Sequence, residues 1–233
     1  MATVILVRHG RTTANASGVL AGRSAGVGLD SVGRQQAARV GARLATLNLA
    51  RIVTSPLRRC RQTARAIEAQ QSLDSPAGKP RTDARLSECD YGRWQGRPLA
   101  ELAKEELWAV VQRTPSAVTF PGGESMPAMQ ARAVAAIRAH DAQVEAAVGK
   151  HAVWAAVSHG DIIKSVLADA LGMHLDLFQR IDVHPASVSV IRFHPTGAQV
   201  VSMNSDSGDL GWLGAAPTST DTQVGGGNRP PSS

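Results

Sequence analysis

The sequence has few cysteines and no long apolar run. Only Cys60 and Cys89 occur in 233 residues, and they form neither a CxxC pair nor a disulfide framework. This usage fits a reducing compartment, so we expect a cytoplasmic protein. No apolar run approaches the roughly 18 residues that a transmembrane helix needs. Arg8, His9 and Arg11 interrupt the N-terminal apolar stretch too early for a signal peptide.

Aromatic residues are also scarce, at 3% of the chain, so the core must consist mainly of Ala, Val, Leu and Ile. The formal net charge is +6, from 25 Lys and Arg against 19 Asp and Glu. The arginines are scattered, however, and single-strand binders usually need aromatic side chains for base stacking. We therefore expect neither a nucleic-acid nor a membrane partner. A few of these arginines would suffice to bind a small phosphorylated molecule.

Strands alternate with helices along the chain, which predicts a three-layer α/β/α domain with a mostly parallel central sheet. Short apolar runs predict strands at Thr3–Val7, Arg51–Ser55 and Ala152–Ser158. Ser187–Phe193 and Gln199–Met203 alternate in polarity and predict an antiparallel pair. That pair could also provide an edge for a homodimer or a higher homo-oligomer.

Helical spacing of apolar residues accounts for most of the remaining sequence. The first predicted helix is capped by Asp30 or Ser31 and continues through Leu44. The others are about Leu57–Gln70, Pro98–Val111, about Ser125–Val148 and Ile162–Leu171. Arg81–Leu86 is expected to be extended. We assign residues 1–205 to one domain and 206–233 to a C-terminal segment. Thr218–Ser233 is rich in Gly, Pro and Ser, and we expect it to be disordered.

Polar clusters follow three of the predicted strands, and each contains a residue type suited to binding an anion. The first begins at Arg8-His9, the second contains Arg59, and the third begins at Ser158-His159. Ligands of parallel α/β sheets bind beyond the carboxyl ends of the strands, so these side chains should converge in one crevice. Guanidinium groups match phosphate oxygens, and helix N-termini add N–H donors. The sequence therefore predicts a phosphoryl site.

Five short motifs occur in a particular order between residue 4 and about residue 205. They are Arg8-His9-Gly10, Ser55-Pro56-Leu57-x-Arg59-x-x-Gln62-Thr63-Ala64, Leu86-x-Glu88-x-x-x-Gly92, Pro121-Gly122-Gly123-Glu124-Ser125 and Ser158-His159-Gly160. In this order they resemble the histidine phosphatase superfamily, and within it the broad-specificity phosphatase branch. The resemblance implies a phosphoglycerate mutase-like fold and an enzyme that needs neither a cofactor nor a metal ion.

The resemblance also implies a role for each matching residue. His9 would be the nucleophile that accepts the phosphoryl group. Three side chains would hold the phosphate oxygens, namely Arg8, Arg59 and His159. Glu88 would be the general acid and then the general base. The expected substrate-binding residues are Asn15, Gly22, Gly160 and Arg11.

Arg11 departs from the family pattern, which commonly has an acidic residue at that position. It could bring positive charge to the mouth of the site and suit an acidic substrate, or it could point to solvent. Considered alone, His9 or His159 would more often be an ordinary loop histidine, and Glu88 could instead pair with Arg85. The conjunction of motifs favours the functional interpretation of all three.

We therefore expect a metal-independent phosphatase of small phosphorylated metabolites. A cofactor-dependent phosphoglycerate mutase is the main alternative. A mutase must keep its phosphoenzyme from water, which calls for a longer closing segment than the one between Gly92 and Gly122. A second alternative is a phospho-ligand-binding protein without catalysis. Such a protein would be expected to lose His9, Glu88 or His159, and all three are present.

Overall fold

A six-stranded mixed sheet forms the middle layer of the computed structural model, which describes residues 2–72 and 75–214. The strands are β1 (Thr3–Arg8), β2 (Leu49–Thr54), β3 (Arg81–Thr82), β4 (Val153–Ser158), β5 (Val188–His194) and β6 (Gly197–Ser205). Their order is β3-β2-β4-β1-β5-β6. Strands β1 to β4 are parallel, whereas β5 is antiparallel to both β1 and β6. The predicted mostly parallel sheet with a C-terminal hairpin is confirmed.

Helices cover both faces of this sheet. The α-helices are α1 (Thr13–Ala16), α2 (Ser31–Leu44), α3 (Arg58–Glu68), α4 (Leu99–Leu102), α5 (Glu106–Arg113), α6 (Met126–Val148) and α7 (Gly160–Ala170). Successive side chains of a strand point to opposite faces. Val4 and Leu6 pack with α6 and α7, while Ile5 and Val7 pack with α2 and α3. Both faces of β1 are therefore buried, which explains its uninterrupted apolar sequence and confirms the three layers.

The single helix predicted over Pro98–Val111 is wrong, because the chain forms α4 and α5 with a break between them. Leu102 is buried in the core, whereas Leu107 is only partly buried and packs against the core. Five residues turn a helix by about 140° beyond a full turn, so one straight helix could not direct both side chains to the same side. The break at residues 103–105 resolves this conflict, and Glu105 forms an ion pair with Arg97 there at 2.6 Å.

The extended stretch predicted over Arg81–Leu86 is correct only for β3. Asp83 ends it, because its side chain accepts a hydrogen bond from the Arg85 N–H at 2.9 Å and caps a short 3-10 helix over Ala84–Leu86. Helix α7 begins at Gly160, two residues before the predicted start. This earlier start places the helix N-terminus directly after His159.

The C-terminal segment contributes to the core beyond residue 205. Leu210 and Leu213 are 3% and 4% exposed and pack in the cluster that contains α2 and α3. The domain therefore continues at least to residue 213. The stretch predicted to be disordered, Thr218–Ser233, lies outside the described residues. Over 2–72 and 75–214, no helix is both long and apolar enough to cross a membrane.

A close backbone contact fixes the loop that follows β1. A Cβ atom on Gly10 would lie 2.4 Å from the carbonyl oxygen of Gly33, and one on Gly33 would lie 1.9 Å from that of Arg11. Only glycine permits this approach between the loop and the first turn of α2. The Gly10 N–H also donates to Thr63 Oγ1 at 3.2 Å, which ties the loop to α3. The backbone around His9 is thus held from two sides.

Candidate active site

A cavity of about 320 Å³ opens at the carboxyl edge of the parallel strands. It is lined by most of the residues that the sequence singled out, namely Arg8, His9, Asn15, Gly22, Arg59, Glu88 and Gly160. The loops after β1, β2 and β4 converge there, as expected for parallel α/β sheets. Two predicted residues, Arg11 and His159, do not line it.

A second cavity, of about 490 Å³, lies beside α2 and holds none of the predicted site residues. Its lining includes Arg39, Arg43 and His184. The Arg43 guanidinium already donates to Ser205 and to the carbonyl oxygens of Ser207 and Gly208. The smaller cavity is the candidate active site, because it contains His9, Arg59 and Glu88.

His9 is held as a neutral imidazole with an unprotonated Nε2. Its side chain is buried, with a residue exposure of 3%. Nδ1 lies 2.8 Å from the carbonyl oxygen of Gly10, which only accepts, so Nδ1 carries the proton. Nε2 accepts a hydrogen bond from Nε of Arg59 at 3.2 Å. Burial, and then the positive charges of Arg59 and Arg8, hold the pKa of His9 well below its usual range.

Two guanidinium groups face the cavity without a carboxylate partner within the described residues. Arg59 is 2% exposed and donates from Nη2 to the carbonyl oxygen of Gly22 at 2.8 Å. Arg8 donates from Nη1 to the carbonyl oxygen of Val183. Nη1 of Arg59 and Nε of Arg8 are buried and have no hydrogen-bond partner among residues 2–72 and 75–214. Unpaired buried charge is costly, so this arrangement favours a bound anion.

His159 lies behind Arg59 rather than in the cavity wall. It is fully buried, and its Nδ1 accepts a hydrogen bond from Nη2 of Arg59 at 3.1 Å. Nε2 must then carry the proton, which it donates to Ser55 Oγ at 2.8 Å. Burial and the charge of Arg59 lower its pKa well below the usual range. The His159 ring centroid lies 5.2 Å from that of His9, and its Nδ1 lies 4.0 Å from a carboxyl oxygen of Glu88. The geometry gives His159 a positioning role toward Arg59, and its direct contact with a phosphate oxygen stays a prediction.

The carboxyl group of Glu88 lines the cavity, and its side chain is only 12% exposed. Burial, and then the negative charge of Asp161, raise the pKa of Glu88 to about 7. A carboxyl group with such a pKa can donate a proton near neutral pH and accept one afterwards. The alternative pairing with Arg85 does not form, because Arg85 pairs with Asp83 at 2.7 Å.

An ion-pair network that the sequence did not reveal holds the backbone of Glu88. Arg132 donates to the carbonyl oxygens of Ser87 and Glu88 at 2.8 and 3.1 Å. Glu124, from the Pro-Gly-Gly-Glu motif, accepts from Arg132 with both carboxylate oxygens. It also accepts from Arg23 at 2.9 Å, and Arg23 Nε donates to the Glu88 carbonyl oxygen at 2.8 Å. The available signal was Glu124 itself, which the sequence analysis named only as a member of the Pro121–Ser125 motif.

A tyrosine and an aspartate extend the site beyond Glu88. The Tyr91 hydroxyl donates to Asp161 Oδ2 at 2.6 Å, and both residues line the cavity. Burial, and then the charge of Asp161, raise the pKa of Tyr91 well above its usual range, so its phenol remains a donor. Farther out the wall is apolar, and Trp94 stacks with Trp108 at a centroid distance of 6.1 Å.

Of the other predicted substrate-binding residues, three reach the cavity and one does not. Asn15 is an exposed residue of the cavity lining, and its Oδ1 accepts from Thr12. Gly22 accepts from Arg59, as described above, and Gly160 forms the first turn of α7. The placement of Arg11 in the substrate site is not supported. Its guanidinium pairs with Asp30 at 2.8 Å, which neutralises the charge outside the cavity.

The two cysteines are buried free thiols. Sγ of Cys60 lies 3.4 Å from Nε2 of His159, and burial raises the pKa of its thiol to about 12. A thiol in this state packs as a small apolar side chain. Within the described ranges, no group of three or more His, Cys, Asp or Glu residues is arranged to hold a metal ion.

The profile of the histidine phosphatase superfamily (branch 1) matches residues 4–206. A probable phosphoglycerate mutase, GpmB of Yersinia enterocolitica, is 33% identical over 196 residues, which are 83% of this chain and 86% of that protein.

Solved structures with the same fold include YhfR of Bacillus stearothermophilus. It is 26% identical with a TM-score of 0.76, and the match covers 88% of this chain and 98% of YhfR. The mycobacterial glucosyl-3-phosphoglycerate phosphatase Rv2419c, solved with VO3, is 24% identical with a TM-score of 0.75. That match covers 87% of this chain and 98% of the other, and it bears on the fold alone.

The neighbouring residues Arg58 and Arg59 provide a matched test of the anion site. Arg59 is buried in the cavity wall, whereas Arg58 is exposed on the same helix. Arg59→Met should weaken binding of inorganic phosphate or vanadate by about tenfold or more, since charge-assisted donors are lost. Arg58→Met should change it by less than about threefold. Calorimetric titration measures both, and thermal unfolding checks that each variant is folded. Equal losses in the two variants would contradict this assignment.

Proposed function

Because this chain belongs to the histidine phosphatase superfamily, branch 1, we propose that it is a metal-independent phosphatase of small phosphorylated metabolites. The reaction runs through a phosphohistidine at His9. One observation carries the proposal: the unpartnered N–H groups of Arg8 and Arg59 are buried at the same cavity as a neutral, correctly protonated imidazole. A phosphoryl dianion would satisfy these donors and would lie beside the nucleophile.

In the first transfer, the electron pair on Nε2 of His9 forms an N–P bond while the bond from phosphorus to the alcohol oxygen breaks. Arg8 and Arg59 stabilise the charge on the phosphoryl oxygens, which is the main requirement of phosphoryl transfer. The proton of Glu88 passes to the departing oxygen, so the alcohol leaves neutral. The hydrogen bond from Nδ1 to Gly10 stabilises the charge that develops on the imidazole.

In the second transfer, water attacks phosphorus and the N–P bond breaks. Glu88, now ionised, takes a proton from that water, and orthophosphate and the neutral imidazole are formed. The same carboxyl group thus acts as an acid and then as a base, which suits a pKa of about 7. The network of Glu124 and Arg132 fixes the backbone from which this carboxyl group extends.

A phosphoglycerate mutase is the second candidate, and it is favoured by the 33% identity to a probable phosphoglycerate mutase. A mutase must protect the phosphoenzyme from water. The segment between Gly92 and Gly122 is short and forms α4, α5 and two 3-10 helices, at Gly92–Trp94 and Pro115–Ala117. We therefore favour hydrolysis over mutase activity.

Phosphate release in the presence of EDTA tests the proposed function. We expect turnover of p-nitrophenyl phosphate and glycerol phosphates, because two arginines supply the positive charge that a metal ion would otherwise provide. If EDTA abolished the activity and added Mg²⁺ or Zn²⁺ restored it, metal independence would be contradicted. Absence of turnover on every phosphomonoester would favour a non-catalytic binding protein. Faster formation of 2-phosphoglycerate than of phosphate, from 3-phosphoglycerate with a bisphosphoglycerate primer, would favour the mutase.

The role of Glu88 is tested by changing the leaving group. Glu88→Gln should reduce kcat/KM for glycerol phosphate by about a hundredfold, because an alkoxide needs a proton to leave. The loss on p-nitrophenyl phosphate should be less than about tenfold, because p-nitrophenolate is a weak base. In the unmutated protein, kcat/KM for glycerol phosphate should fall above about pH 7 as Glu88 loses its proton, and Glu88→Gln should lack this alkaline decline. Equal losses on both substrates would show that Glu88 is structural.

A further inference from the structure

Beyond the phosphoryl end, the charges that line the cavity are mainly negative. The charged groups there, apart from Glu88, are Lys164, Asp161 and Asp182. A bound phosphoryl group would take up Arg8 and Arg59. Asp182 lies at the rim, where its side chain is 83% exposed. The alcohol part of a substrate would therefore meet Lys164 and Asp161 inside the cavity, and the charge of Asp161 disfavours an alcohol part that carries a carboxylate of its own.

Asp161 lines the same cavity as Glu88, the proposed proton donor to the leaving oxygen. Its charge acts on the carboxyl group of Glu88 and is, after burial, the main cause of the raised pKa there. Glu88 must approach the leaving oxygen to protonate it. The carbon atoms attached to that oxygen therefore lie close to Asp161 as well.

The negative charge of Asp161 is held in place by its surroundings. The buried Tyr91 hydroxyl donates to Oδ2 at 2.6 Å. Asp161 also lies in the first turn of α7, where free N–H groups stabilise an anion. Both interactions oppose rotation of the carboxylate away from an incoming negative group.

The cation of this region is already engaged. Nζ of Lys164 donates to Gln179 Oε1 at 2.7 Å and lies 4.9 Å from the ring centroid of Phe178. Lys164 follows Asp161 by three residues, so the two side chains lie on the same side of α7. The charge of Asp161 thus offsets that of Lys164, and Lys164 is a poor receptor for a substrate carboxylate.

We propose that Asp161 is a specificity-determining residue that selects phosphomonoesters of uncharged alcohols and discriminates against those whose alcohol part carries a carboxylate. This inference rests on the proposed function of the cavity and names the substrate class. It replaces the expectation that positive charge from Arg11 suits an acidic substrate, since Asp30 neutralises Arg11 outside the cavity.

Glycerol 3-phosphate and 3-phosphoglycerate form a matched pair for the test. They differ in one terminal group, a hydroxymethyl against a carboxylate, and both leave as primary alkoxides. The ratio of their kcat/KM values therefore cancels the phosphoryl chemistry and the titration of Glu88. The unmutated protein should favour glycerol 3-phosphate by about tenfold, the scale of one partly solvated like-charge contact. Asp161→Asn should reduce that preference to less than about threefold.

Two further variants separate the charge of Asp161 from other effects. Asp169→Asn lies on the same helix, where Asp169 pairs with Arg138 at 2.7 Å, and it should leave the ratio unchanged. Lys164→Met should change the ratio by less than about threefold. A tenfold loss of 3-phosphoglycerate turnover alone in Lys164→Met would show that Lys164 receives the carboxylate, and would overturn the inference.

Binding to the unreactive His9→Ala protein separates this inference from the proposed function. The Kd values of the two compounds should show the same preference for glycerol 3-phosphate. Adding Asp161→Asn should reduce this preference to the same extent as in the kinetic test. An equal or stronger affinity for 3-phosphoglycerate before the Asp161 change, or a preference that survives it, would overturn the inference. If the Kd values discriminate as expected while the unmutated protein hydrolyses neither compound, the phosphatase proposal fails and the charge selection stands.

Discussion

The site depends on two guanidinium groups at the edge of the sheet that form no ion pair with a carboxylate of residues 2–72 and 75–214. Arg59 is almost inaccessible and Arg8 is half-buried, and each retains a buried nitrogen with no hydrogen-bond partner in those residues. This arrangement is unfavourable in the absence of an anion and favourable in its presence. The same two charges help to keep His9 neutral, so they provide both the binding energy for a phosphoryl group and the reactive form of the nucleophile.

Arg132 is a partly buried arginine near the site whose charge serves only structure. Arg132 is paired with both oxygens of Glu124, and its remaining N–H groups donate to backbone carbonyl oxygens on either side of Ser87. Charge and hydrogen bonds are satisfied within the protein there. The contrast between Arg132 and Arg59 therefore separates a support for the Glu88 loop from a group prepared for an external ligand.

The sequence predicted the sheet, most helices and seven residues that line the cavity, because these depend on local patterns. β1 is apolar on both faces, and the position of Arg59 within its motif distinguishes it from the exposed Arg58. The sequence analysis did not predict the break between α4 and α5, because the spacing of apolar residues does not show where a helix must end and a new one must begin in another direction.

The partners of charged residues were also beyond the sequence analysis, since they are distant along the chain. Arg11 finds Asp30, Tyr91 finds Asp161, and His159 lies between Arg59 and Ser55. These contacts decide which charges reach the cavity. They account for the one assignment that changed, that of Arg11, and for the place of His159 behind Arg59.

Chemical identification of a phosphoenzyme tests the central claim most directly. The Glu88→Gln protein, given p-nitrophenyl phosphate and quenched in alkali, should carry a phosphoryl group that is stable to base and labile to acid. Peptide mass spectrometry should place it on His9, and ³¹P NMR should assign it to Nε2, since Nδ1 is engaged by Gly10. A phosphoryl group on any other residue, or turnover by a His9→Ala protein at the unmutated rate, would contradict the account.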